Sequence, residues 1–128
     1  MANTVTIRKL LDGSKVSTIQ IDIIGDASGE ETDTVIIDAS DLSGAPTDYK
    51  IRAIQWALIG MSAELNWDAT ANVHAFSLPA GSDGLRFSDT GTHLQNNAGA
   101  GKTGDLLITT AGLADAGSNG TIIIELQK

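Results

Sequence analysis

The chain has 128 residues, 41% of them hydrophobic, which suits one globular domain with its own core rather than two domains or a disordered segment. It contains no cysteine, so disulfides and thiolate metal sites are excluded. Sixteen acids against eight bases give a formal net charge of -8. That balance argues against nucleic acid and anionic membranes as partners, and suits a soluble protein or one that docks on a basic surface.

Met1-Ala2-Asn3-Thr4 is not a basic segment leading into an apolar stretch, so no signal peptide is expected. No apolar run approaches the length of a membrane span, and synthesis in a cytoplasm follows as the expectation. Val5 and Ile7 alternate with Thr4, Thr6 and Arg8, which predicts a strand, and Asp12-Gly13 supplies a hairpin turn. In the next strand Ile19, Ile21 and Ile23 point one way while Thr18, Gln20 and Asp22 point the other. Asp26 to Thr32 is polar and acidic and reads as a solvated loop. Thr34 to Ile37 is β-branched throughout and reads as a short strand; Ala39 to Thr47, with Gly44 and Pro46, reads as a connection.

Tyr49 to Met61 fits two patterns. Ile54, Trp56 and Leu58 make a strand face, whereas Ile51, Ile54 and Leu58 make a helix face. Strand is preferred, because the other segments need a sheet partner and Gly60 ends the run. Further short strands are predicted at Glu64–Trp67, Val73–Leu78, Leu85–Phe87, Leu106–Thr110 and Thr121–Leu126. Gly81-Ser82-Asp83-Gly84 is expected to be a turn, and Ser88 to Gly104 a long loop. Ile122-Ile123-Ile124 is apolar on both faces and should lie centrally or under a subunit partner. The expected fold of residues 1–128 is all-β: a single-domain antiparallel β-sandwich, jelly-roll-like, of about eight strands.

The candidate sites divide as follows. Asn96 to Thr103 ends in Gly101-Lys102-Thr103 and resembles a phosphate-binding loop, but an asparagine stands at the first required glycine and a strand follows where a helix N-terminus is needed. His74 and His93 lie nineteen positions apart without cysteines, which gives surface or loop histidines rather than zinc ligands. The acids from Asp26 to Asp41 do not follow the calcium-loop pattern. Serine, histidine and acids are all present, but no Gly-x-Ser-x-Gly elbow is, and the chain is read as non-enzymatic and without cofactor. Trp56 reads as core. Trp67 reads as core or as an anchor for another protein, since tryptophan is enriched at binding hot spots.

Gly25-Asp26-Ala27-Ser28-Gly29-Glu30, Ile54-Gln55-Trp56-Ala57-Leu58, Leu65-Asn66-Trp67-Asp68-Ala69-Thr70 and the run Asn97 to Asp105 follow in this order, before two last strands ending at Lys128. Over nearly its whole length this order resembles small virion proteins of tailed bacteriophages. The resemblance implies a capsid decoration (cement) protein on the outer surface of the virion head. Such a protein binds the phage major capsid protein, often as a trimer, and clamps the mature shell. It needs no cofactor, nucleic acid or membrane. Candidate contact residues are an N-terminal arm within residues 1–8, namely Ala2, Asn3, Thr4, Val5 and Thr6, together with Trp67. The alternatives are a phage tail or fibre adaptor or tip, and a ligand-binding jelly-roll domain.

Overall fold

A computed structural model describes residues 3–25, 29–46, 49–87, 93–113 and 117–128. Nine strands follow in chain order: Thr4–Asp12 (β1), Val16–Ile24 (β2), Thr34–Ile37 (β3), Lys50–Ile59 (β4), Ser62–Trp67 (β5), Val73–Leu78 (β6), Gly81–Arg86 (β7), Leu106–Ala111 (β8) and Asn119–Gln127 (β9). One turn of 3-10 helix, Ala39–Asp41, follows β3. The strands form two antiparallel sheets, ordered β1-β2-β9-β4-β7 and β3-β8-β5-β6. Set β1 aside, and the remaining orders are those of interleaved Greek keys, so the sandwich is jelly-roll-like with one strand added at an edge.

Strict alternation decides which side of each strand is buried. On β2, Ile19, Ile21 and Ile23 are buried; on β9, Ile122, Ile124 and Leu126 are. These meet across the ladder as Ile19↔Ile124 and Ile21↔Ile122. On its other side β9 sets Ile124 against Ile54 and Ile122 against Trp56. The last strand is therefore central, as its apolar run predicts, with Ile123 on the sheet's outer side. From the other sheet Ile36, Leu65, Leu106 and Ile108 join the same cluster.

Residues 50–59 form a strand and not a helix, because β9 and β7 pair with them on both sides. The helical reading loses to two ladders of backbone hydrogen bonds. A bulge between Ile51 and Ala53 explains the mixed signal, since it breaks the period-two pattern once. Gly81-Ser82-Asp83-Gly84 differs from expectation. It opens β7 and pairs with β4 through Leu58↔Gly81 and Gln55↔Gly84. A Cβ on Gly84 would stand 3.1 Å from Gln55 Cγ, so glycine lets this strand approach closely.

Trp67 belongs to the core, with no exposed surface. Its ring meets Tyr49 edge-on, with centroids 5.6 Å apart. The expectation that Trp67 contacts another protein is corrected here, because the fold leaves its side chain nothing to offer a partner. Two polar groups, Tyr49 OH and Trp67 Nε1, are buried with no hydrogen-bond partner among the described residues. Burial, together with the Asp105 charge, holds the Tyr49 hydroxyl well above the usual tyrosine range and therefore protonated. An orphaned buried group costs roughly 1–3 kcal/mol. Tyr49→Phe should therefore stabilise the protein by about 1 kcal/mol in denaturant unfolding, whereas Trp67→Ala should cost about 3–5 kcal/mol. A loss of stability in Tyr49→Phe would mean that the hydroxyl has a partner.

Candidate functional site

The candidate N-terminal arm, residues 1–8, is sheet ladder from Thr4 onward. Ala2 lies outside the described residues. Thr4, Val5 and Thr6 pair with Ile24, Ile23 and Asp22, so they begin edge strand β1. Asn3 Nδ2 donates to Gly29 O at 2.8 Å and to Glu31 Oε2 at 3.0 Å, fastening the start of β1 to the acidic loop. The other end is fastened more heavily. Lys128 Nζ donates to Asp12 Oδ1 at 2.8 Å and to Gly13 O at 2.6 Å. Asp12 also accepts from Ser17 Oγ at 2.9 Å and from the Ser43 N–H at 3.0 Å.

Between these fastenings β1 has a poorly covered inner side. Ile7 sits opposite Ile21 in the ladder, yet Ile7 is 46% exposed and Ile21 is 0% exposed. Across the opening, Val35 of β3 is 43% exposed. Together with Ile19 and Ile37 they line a groove of about 380 Å³, closed at one end where Lys9 Nζ donates to Asp41 O at 3.0 Å. Both walls are sheet edges, β1 and β3. An edge strand with an apolar flank is the arrangement that accepts a further extended segment.

The glycine-rich run near Lys102 has a structural task. Gly101 has φ +81, and a Cβ there would fall on Thr70 Oγ1. The Thr70 N–H donates to Ala100 O at 3.1 Å, and Thr103 Oγ1 donates to Asp68 Oδ2 at 2.8 Å. The run is packed against the 68–70 turn and leads into β8, with no helix N-terminus to cradle an anion.

The acidic stretch is solvent-facing as expected, with Glu30, Thr32 and Asp33 exposed, yet hydrogen bonds tie it to β8 and the residues after it. Glu30 Oε1 accepts from Thr110 Oγ1 and from the Leu113 N–H, both at 2.9 Å. Glu31 exchanges backbone and side-chain hydrogen bonds with Thr110, which docks the loop on β8. Asp26 lies outside the described residues. Burial raises the Asp105 carboxyl above its ordinary range, and Asp38, Asp68 and Asp41 add to the rise, against the Ala39 N–H that it accepts. Among the described residues no group of three or more His, Asp or Glu could hold a metal ion.

His93 Nε2 donates to Gln127 Oε1 at 2.8 Å. His74 is exposed on β6, a surface histidine as expected. Its Nδ1 is 2.8 Å from Glu64 Oε1, and its Nε2 is 3.2 Å from Ser77 Oγ. Pattern reading missed this cluster for a geometric reason. Residues 74 and 77 differ by an odd number, which in a regular strand places them on opposite faces. The register shifts between Leu65 and Asn66, so that Leu65↔Phe76 is followed by Asn66↔His74. Ala75 is the extra residue, and its bulge turns His74 to the side of Ser77.

No family model, no curated protein and no solved structure matches the chain in comparisons with known proteins. No helix among the described residues is long and apolar enough to cross a membrane.

The Asp12 clamp makes a pH prediction. The Lys128 hydrogen bond, then the Ser43 N–H, holds the Asp12 carboxyl down at about 2. In the unfolded chain it should titrate near ~3.9. A depressed folded value contributes stability above the unfolded value and loses it as pH falls through the folded one. Asp12→Asn should therefore be less stable than the parent at neutral pH, by about 1–2 kcal/mol, and the gap should shrink between roughly pH 4 and pH 2. Parallel unfolding curves at pH 7 and pH 2.5 measure this; a gap independent of pH would remove the clamp's charge from the account.

Proposed function

We propose that this chain is a capsid decoration protein of a tailed bacteriophage, binding the outer surface of the major capsid protein shell as a homotrimer. The observation that carries this reading is the β1 edge with the half-open apolar groove beside it, between Ile7 and Val35. An extended segment of the shell protein would continue the five-stranded sheet beyond β1 and place alternate apolar side chains in the groove. The net charge of -8 favours a basic segment. The order of sequence features along the chain supports the same role. The work of such a protein is thermodynamic: by binding only the mature shell it stabilises that state by mass action, and many copies on one lattice multiply a modest affinity.

Two measurements test the reading. Quantitative mass spectrometry of purified source particles should give a copy number near that of the major shell protein, or a simple fraction of it. Only a handful of copies would move the protein to the tail or a vertex, and its absence would end the virion reading. Ile7→Lys puts a charge at a half-exposed position, so folding should be retained. Its affinity for mature shells should fall by about tenfold or more. Unchanged affinity would mean that the shell is gripped elsewhere.

A further inference from the structure

The outer side of the four-stranded sheet carries a relay that the decoration reading does not use. Glu64 of β5 is the ladder partner of Ser77 on β6. His74 stands between them, with Nδ1 at 2.8 Å from the carboxylate and Nε2 at 3.2 Å from the hydroxyl. His74 and Glu64 are each about half exposed, at 50% and 48% of the side chain. An exposed pair of this kind adds little to folding. The connectivity is that of an activated nucleophile: carboxylate on Nδ1–H, hydroxyl on the free Nε2. Beside it lies a shallow groove of about 530 Å³, lined by Ser77, Pro79, Thr109 and Ala111 among others. Because β6 ends its sheet, the N–H groups along its free side lack a ladder partner.

We propose that Ser77 is an acyl-accepting nucleophile, with His74 as its general base and Glu64 as the group that orients His74, and that the site cleaves small esters. With Glu64 accepting from Nδ1–H, the Nε2 lone pair faces Ser77. Ser77 Oγ bonds to the ester carbonyl carbon as its proton passes to His74 Nε2. Collapse breaks the bond to the alcohol oxygen, and His74 returns the proton to that leaving group. Water then attacks the acyl-serine, again losing its proton to His74, and the carboxylic acid departs with Ser77 restored. The N–H groups on the free side of β6, which have no ladder partner among the described residues, are the available donors to the developing oxyanion. The open groove selects short acyl chains, because it encloses too little surface to hold a long one.

The test uses the whole purified chain with two probes, an alkyl fluorophosphonate and p-nitrophenyl acetate. The phosphonate should add once, at Ser77, as located by peptide mass spectrometry, and should fail to add in His74→Ala. Ester cleavage should fall about 100-fold in Ser77→Ala and in His74→Ala, and about tenfold in Glu64→Gln with a changed pH profile. Circular dichroism should show all three variants folded, as their exposed positions lead one to expect. Three results would overturn the proposal: no phosphonate adduct, an adduct away from Ser77, or Ser77→Ala cleaving the ester as fast as the parent. The last would leave His74 acting as a simple surface imidazole.

Discussion

The pairing of β9 between β2 and β4 is the constraint on which the rest of the structure depends. β9, far from both neighbours in sequence, lies in the middle of the five-stranded sheet, so β2 and β4 each find their inner partner only through it. Its register fixes theirs: Ile122 aligns Ile21 with Trp56, and Ile124 aligns Ile19 with Ile54. A slip of one residue would turn Ile122, Ile124 and Leu126 to the outer side and empty the centre of the core. Most of the stabilising contacts are consequently long-range, and the loop-closure entropy must be met before burial rewards it.

From that centre follows the open edge. Five strands stand against four, and β1 is the surplus. Its inner side sets Val5 and Ile7 opposite Ile23 and Ile21 but Lys9 opposite Ile19, and Ile7 remains half exposed while Ile21 beside it is sealed. Hydrophobic burial therefore contributes less to β1 than to any strand at the centre. Polar fastenings compensate, with Asn3 at one end and the Asp12–Lys128 clamp at the other. Lys128 is the residue after β9, so the central strand also secures the edge. A strand held at its ends and uncovered between them has its ordering entropy already met, so a segment pairing with it would not have to order β1 as well.

How far the sequence reveals this depends on where each signal resides. β2 is legible because Ile19, Ile21 and Ile23 state their own period, and β9 because Ile122-Ile123-Ile124 needs cover on both sides. β7 is hidden, since Gly81-Ser82-Asp83-Gly84 has no apolar alternation and becomes a strand only through its pairing with β4. The docking of Glu30 rests on Thr110, eighty residues away, and no local pattern encodes it. The order of motifs that resembles phage virion proteins encodes no pairing, and Thr4 to Thr6 of the candidate arm become edge ladder only through β2. The Ser77, His74 and Glu64 cluster depends on a single bulged residue, Ala75, which sequence periodicity cannot register.

Amide hydrogen exchange on the isolated protein, resolved strand by strand, tests the central claim most directly. The account predicts that β9, β2 and β4 exchange only through global unfolding, while the middle of β1 exchanges by local opening at lower free energy. If β1 were protected as strongly as β9, its inner side would be covered in solution, and both the open edge and the docking role built on it would be contradicted.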